Sequence, residues 1–272
     1  MKNIKLDINS KFNTNLLKPK SELFSKFWKD GVNGGLNVLV SRKLSAIADK
    51  IIDSLDLDHD VEDVVITGSI ASYNWHENSD IDLHIMLDFE KIDKNFNLVK
   101  RMLDQTRINW NKKHDIRIAG KEVEIYFQHY TEPHEANGIW SLSLEKWLAL
   151  PVRLNPEIDL MNTEKKAESI ATCIDHLEEL YENKEYKEAY NFSIKLKSKI
   201  SKMRKSGLDK EGIYSPENLA FKMLRNSNYL EKLNSLKISS YDKMMSLKLE
   251  QKQINTNKIW KKFLYKNNGI LK

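Results

Sequence analysis

A single cysteine, Cys173, stands in a chain of 272 residues. A lone thiol permits no internal disulfide and no cysteine-rich zinc site. No apolar run approaches the ~20 residues that a bilayer-spanning helix needs. The first residues, Met1 to Asp7, lack the apolar stretch of a secretory leader. The expected compartment is therefore the cytoplasm, with no membrane partner. The stretch Asp30-Gly31-Val32-Asn33-Gly34-Gly35 reads as a turn, and its glycines match neither a dinucleotide fingerprint nor a P-loop. The seven histidines show no H-E-x-x-H spacing. No internal repeat is visible.

What remains is the composition of a globular protein: 40% hydrophobic and 31% charged residues. The length fits one large domain or two small ones. The net charge of +5 conceals an asymmetry. Residues 183–272 carry 21 Lys and Arg against 8 Asp and Glu, a net of +13, while residues 1–182 sum to −8. A basic half suits a polyanion partner. Solvated lysine-rich helix faces explain it equally well.

Periodicity organises the chain. Leu23, Phe24, Phe27 and Trp28 predict a short amphipathic helix. Leu44, Ile47, Ala48, Ile51, Ile52 and Leu55 predict a helix over about 40–55. The run Val64–Thr67 predicts a strand, 69–75 a short helix, and Ile81–Leu87 a second strand. A helix is expected over 95–114, with Leu98, Met102, Ile108 and Trp110 among its apolar positions. Residues 115–119 and 122–128 read as strands joined by Gly120-Lys121 in a hairpin. Residues 131–160 are loop-rich. Beyond about Thr163 only helices are expected, over 167–182 and 185–205 and from Ser215-Pro216-Glu217 onward, where serine caps and proline fills the first turn. The second of these pairs an apolar stripe (Phe192, Leu196, Ile200, Met203) with a basic one (Lys195, Lys199, Lys202). From about Tyr241 the tail is polar, basic, and helical or frayed. The expected fold is α+β: a small mixed sheet with flanking helices over 1–160, then a basic all-helical domain over 161–272.

The chemistry concentrates at Gly68-Ser69 and Ser79-Asp80-Ile81-Asp82. Asp80 and Asp82 are two apart, so their carboxylates face the same way along a strand. Paired carboxylates repel unless a cation lies between them. Mg²⁺ is usually held by one or two carboxylates plus substrate phosphates. Hence a phosphate-handling metal site is expected near residue 80. In Glu122-Val123-Glu124-Ile125-Tyr126, the residues Glu122, Glu124 and Tyr126 share a face. Either glutamate offers a third acid, and Glu124 is the more central. The bland reading, surface aspartates on an edge strand, is weakened by the preceding strand and Gly-Ser at this spacing.

This pattern of Gly68-Ser69, Asp80-x-Asp82 and a following acidic strand resembles the nucleotidyltransferase superfamily that includes DNA polymerase β. The resemblance implies transfer of a nucleoside monophosphate from an NTP, with release of pyrophosphate. It implies two Mg²⁺ ions, or Mn²⁺, held by Asp80, Asp82 and Glu124, with Glu124 where the superfamily places its third acid and general base. Glu122 is the fallback. Gly68 then lets the backbone approach a phosphate. Ser69 and the amides of a following helix start hold the triphosphate, and Ser79 positions the start of the strand. Lys205, Lys222 and Arg225, with Arg204 beside them, are candidate phosphate contacts. Further stretches, from Val123 to Gln128, from Gly138 to Leu142, and from Tyr214 to Arg225, look like predicted nucleotidyltransferases of large tailed bacteriophages.

His134 and Tyr73 are weaker candidates for substrate contact. A local hydrogen bond for the first and packing for the second are the simpler readings. Trp110, Trp140 and Trp147 read as core. Arg107 and His114 have the R-x6-H spacing of a helical ribonuclease, here a coincidence. The charge asymmetry makes RNA the expected acceptor and argues against a polycationic antibiotic. The alternatives are a small nucleotide signal, modification of a protein, or a binding module without catalysis. The presence of every acid and of the Gly-Ser turn favours an enzyme.

Overall fold

The computed structural model describes residues 12–57, 60–134 and 136–246. Within them the chain divides into two compact units. The first comprises the residues up to Ala167 together with Arg204–Ser227; the second comprises Glu168–Met203 and the residues from Asn228 on.

The first unit is built on a six-stranded mixed sheet. Its strands are β1 (Asp63–Thr67), β2 (Ile81–Leu87), β3 (Arg117–Ile118), β4 (Lys121–His129), β5 (Ile139–Ser141) and β6 (Lys146–Ala149). They lie in the order β3-β4-β2-β1-β5-β6. Only β2 and β4 run parallel. That pairing needs a crossover, supplied by the short α2 (Phe89–Ile92) and by α3 (Phe96–Lys113).

Alternation along the strands sorts side chains between two faces. Ile66, Leu83, Ile85, Val123, Ile125 and Trp140 turn into the main core. Helix α1 (Val38–Asp53) packs there through Val40, Leu44, Ala48 and Ile51, spaced four, four and three apart. Asn37 caps its start, accepting from the Leu39 amide at 3.0 Å. Helix α3 contributes Val99 and Leu103, whereas Leu98, Met102 and Ile108 are exposed. So three of the four apolar positions first read from its sequence lie off its buried stripe, while Trp110 packs against the core.

Glu124 stands on a strand that needs support. β3 is two residues long and pairs with Lys121 and Glu122; the Val123 amide donates to the Ile116 carbonyl at 2.9 Å just beyond it, and the support ends short of Ile125. Asn111 of α3 fills the gap at Ile125, donating to its carbonyl at 3.1 Å and accepting from its amide at 3.0 Å. An unpaired buried backbone group is costly, so this clamp fixes the stretch between Glu124 and Tyr126.

Two expected helices are absent. Leu23 to Trp28 forms turns, with Trp28 in an isolated bridge to Leu36, and all four apolar residues are buried. Residues 69–75 are also turns. Helical carbonyls bond within the helix; here the Trp28 indole donates to the Ile70 carbonyl at 2.8 Å and the Lys20 amide to the Tyr73 carbonyl at 2.6 Å. Tertiary partners from the 20–28 segment take those acceptors. Conversely, the loop-rich stretch 131–160 contains β5 and β6, too short to show a period of their own.

The remaining elements are helical: α4 (Leu160–Glu182), α5 (Tyr186–Glu211), α6 (Pro216–Asn226) and α7 (Tyr229–Met245). Ser215 caps α6 by accepting from the Asn218 amide, and Pro216 follows it. In the second unit, Ile170, Ile174, Leu177, Leu196, Ile200 and Leu233 are buried. Lys232 there bonds to Asp175 at 3.2 Å and to Glu178 at 2.5 Å. The tail beyond residue 246, read as helical or frayed, lies outside the described residues. Among the described residues no helix is long and apolar enough to cross a membrane.

Candidate active site

The face of the sheet turned away from the main core carries a row of polar side chains. Thr67 on β1 is in register with Asp82 on β2, and Asp82 with Glu124 on β4. Asp80 stands one residue before β2. These four groups line one cavity of about 490 Å³, together with Gly68 and Ser69. Lys222 and Arg225 of α6 line it as well.

Gly68 adopts φ +77°, in the left-handed region that favours glycine. A Cβ there would overlap the Asp82 carboxylate. The turn therefore closes directly over the acid, as a backbone that must approach a bound phosphate requires. Behind it, the Ser69 hydroxyl donates to the Ser79 hydroxyl at 2.8 Å, which also accepts from the His76 amide at 2.9 Å. Ser79 is buried and supports Ser69 without lining the cavity. The loop leading to Asp80 is tied down by buried Lys121, whose ammonium donates to the carbonyls of His76 and Glu77 at 2.6 and 2.5 Å.

The acids are crowded. Burial, Glu124 and Asp80 together push Asp82 up to about 7, against the opposing pull of Arg225. Asp80 is raised by burial and by Glu124. Glu124 accepts at 2.5 Å from the Tyr126 hydroxyl. On α6 the strain has the other sign: burial, Arg225 and Arg204 bring Lys222 down to about 8. Carboxylates that resist ionising call for a cation, and ammonium groups that resist protonation call for an anion. A divalent metal with a polyphosphate relieves both.

Among the described residues, no three His, Cys, Asp or Glu groups are gathered into a ready-made metal cage. Mg²⁺ does not require one. It keeps several waters and takes one or two carboxylates plus substrate phosphates. Asp80, Asp82 and Glu124 fit that ion: hard oxygens on one wall, two of them raised by burial and by neighbouring acids. The Thr67 hydroxyl is buried and has no hydrogen-bond partner among the described residues. It lines the same cavity, where a ligand can satisfy it.

Of the residues singled out by sequence, Gly68, Ser69, Asp80, Asp82, Glu124, Lys222 and Arg225 meet at this cavity. Glu122 instead pairs with Arg117 at 3.1 Å. Lys205 is exposed and not part of the lining. Arg204 donates to Asn218 at 3.2 Å and lies 4.2 Å from the Phe221 ring centroid. Tyr73 packs on the core. Sequence reasoning passed over His84 and Gln128, and gave His134 and Tyr126 no firm role; all four line the cavity. The period of two was the available signal, since it puts His84 beside Asp82 and Gln128 beside Glu124 on one face. The helix start expected to hold the triphosphate is not formed, so the donors there are turn amides after Gly68.

Residues 49–133 match the family model described as Polymerase beta, Nucleotidyltransferase. The matched span is under a third of the chain. It contains the Gly68-Ser69 turn and all three acids, and it ends before β5 and α6. No curated protein and no solved structure matches the chain significantly. None of these comparisons supports the expected likeness to nucleotidyltransferases of large tailed bacteriophages.

Proposed function

We propose that the polymerase beta-type nucleotidyltransferase domain of this chain transfers a nucleoside monophosphate from an NTP to a hydroxyl acceptor, with RNA the best-fitting acceptor. The observation that carries this reading is the row Thr67–Asp82–Glu124 beneath the Gly68-Ser69 turn, in one cavity with Lys222 and Arg225. Acids for metal and cations for phosphate are thus supplied to one volume.

In this reading Asp80, Asp82 and Glu124 hold the divalent metal, Mg²⁺ or Mn²⁺. Bound metal offsets charge on the phosphoryl oxygens and acidifies the acceptor hydroxyl. The triphosphate rests on the amides after Gly68, with the Ser69 hydroxyl turning from Ser79 to donate to it and Lys222 and Arg225 against its distal phosphates. Glu124 receives the proton of the acceptor hydroxyl. The acceptor oxygen bonds to the α-phosphorus as the bond from that phosphorus to the bridging oxygen breaks. Pyrophosphate leaves with the electron pair, held by the same cations. In-line displacement of this kind is mostly positioning and electrostatics, which suits a site built on rigid strands.

The test is incubation with each labelled NTP, Mg²⁺ and total RNA, beside an Asp80→Ala/Asp82→Ala control. Label on RNA with the intact protein alone supports the reading. Label on a small product or on protein keeps the chemistry and removes RNA. Absence of label and of released pyrophosphate with every NTP and metal sinks the enzyme reading.

A further inference from the structure

Beyond the row of acids, the same face continues with a different chemistry. The next row along the strands is Val65–His84–Tyr126, and the one after is Asp63–Met86–Gln128. Two residues of strand advance about 6.6 Å. β1 runs from Val65 to Thr67 and then into Gly68. The His84 row is therefore displaced from the acids on the side away from the Gly68-Ser69 turn.

His84 and Tyr126 stack with ring centroids 4.9 Å apart at 23°. His134 meets His84 edge-on at 5.8 Å. The His84 Nδ1 lies 2.8 Å from Gln128 Oε1. Gln128 donates its amide nitrogen to the Glu132 carbonyl at 3.1 Å, which fixes the orientation of the amide. Oε1 only accepts, so Nδ1 carries the proton and Nε2 presents a lone pair. His134 makes no hydrogen bond within the described residues.

We infer that His84, Tyr126, Gln128 and His134 form the acceptor subsite of this cavity, and that it takes an uncharged, hydroxyl-bearing sugar such as a terminal ribose. The inference rests on the nucleotidyl-transfer reading above. In-line displacement places the attacking oxygen opposite the leaving pyrophosphate. The turn, Lys222 and Arg225 serve the phosphate side. The acids lie between that turn and the His84 row, so the acceptor arrives over the row.

The chemistry of the quartet selects the acceptor. None of the four side chains is a Lys, Arg, Asp or Glu, and the charges beside them are engaged: Arg107 lies on the Tyr126 ring and Glu124 accepts from its hydroxyl. Stacking of a base is disfavoured, because Tyr126 already has His84 on its ring and the Arg107 guanidinium 4.9 Å from its centroid. What the cavity is offered is ring edges: a bare Nε2 on His84 and an unpaired imidazole on His134. Edges of this kind bind hydroxyl groups through hydrogen bonds.

The experiment uses the full chain with Mg²⁺ and the NTP that supports transfer. The acceptor probes are an RNA oligonucleotide ending in ribose, the same oligonucleotide ending in 2′,3′-dideoxyribose, a free ribonucleoside and spermine. Label and released pyrophosphate are both measured. His84→Phe and His134→Phe keep the ring packing and remove the polar edges, and thermal melting checks their folding. Label is expected on a ribose-bearing probe and absent from the dideoxy end and from spermine. Label on the oligonucleotide identifies a strand terminus, and label on the nucleoside alone a free sugar. Both substitutions are expected to raise the acceptor KM about tenfold while the NTP KM moves less than about twofold.

A raised NTP KM with an unchanged acceptor KM would assign the quartet to the ribose of the NTP and overturn the inference. So would transfer to the dideoxy end or to spermine. If the intact protein releases no pyrophosphate in any arm, the underlying reading falls, and this subsite falls with it. Pyrophosphate release that responds to ribose probes identically in both variants refutes the subsite alone.

Discussion

Gly68 faces Asp82 so closely that only a hydrogen atom fits between the turn and the carboxylate. Its positive φ and this contact are two separate reasons for glycine. Gly68→Ala is expected to destabilise the protein by about 1–3 kcal/mol and to lower transfer about 100-fold. Melting curves and pyrophosphate release measure the two effects. Full activity in the alanine variant would show that the turn does not need to lie this close.

Asp82 gives the fold a pH dependence. Its folded pKa, about 7, lies above the usual carboxylate value. The native state therefore binds more protons than the unfolded chain between about pH 4 and pH 7, and stability falls as pH rises through that window. Asp82→Asn removes this slope. At pH 8 without metal it is expected to melt about 2–4 °C higher than the parent, corresponding to roughly 1 kcal/mol. Added Mg²⁺ is expected to stabilise the parent protein and not the variant. Parallel melting profiles from pH 5 to 8 would remove Asp82 as the cause.

Lys222 titrates within the working range. Held down to about 8 by burial and by Arg225 and Arg204, it loses its charge as pH rises past that value. NTP affinity is expected to weaken above pH 8. Lys222→Met is expected to raise the NTP KM about tenfold at pH 7, because a phosphate contact is lost. It is also expected to flatten the alkaline limb. An alkaline limb that persists in Lys222→Met would place the titrating group elsewhere.

The Asn111 clamp makes a prediction about stability. Asn111→Leu keeps the volume close and strands the amide and carbonyl of Ile125. The cost is expected to be about 2–4 kcal/mol, read as a lower midpoint in urea. Hydrogen exchange at the Ile125 amide is expected to accelerate. An unchanged midpoint would mean that water replaces the side chain without penalty.

Legibility in the sequence followed periodicity. Helix α1 and strands β1, β2 and β4 were readable because each carries its apolar positions over a full element; the extent of α3 was readable too, although Leu98, Met102 and Ile108 are exposed and Val99 and Leu103 form its buried contact. The acids were readable for the same reason: alternation fixes which carboxylates share a face. The Leu23–Trp28 segment was misread as a helix because its apolar spacing is helical, whereas the Phe27 carbonyl accepts from the Asn37 amide; in 69–75 the Ile70 and Tyr73 carbonyls are claimed by Trp28 and Lys20. β5 and β6 are three and four residues long, below any usable period. His84 and Gln128 carried a signal that went unused, since motif reading stops at the acids. The pairing of Lys222 and Arg225 with those acids has no local signature, because α6 reaches the cavity from far along the chain.

That distance has a consequence for how the protein is made and dismantled. The acids lie before residue 125 and the phosphate-facing cations after residue 221, with Glu168–Met203 counted in the other compact unit. In the proposed reading, a nascent chain holds the acids long before the ribosome has delivered Lys222 and Arg225, so NTP capture would wait for α6. A protease that cuts between residues 168 and 203 and lets the fragments part would separate Lys222 and Arg225 from the acids, and on the proposed reading would end transfer without touching a single acid. Catalytic output would then be a readout of covalent continuity across a segment that supplies none of the proposed metal or phosphate contacts.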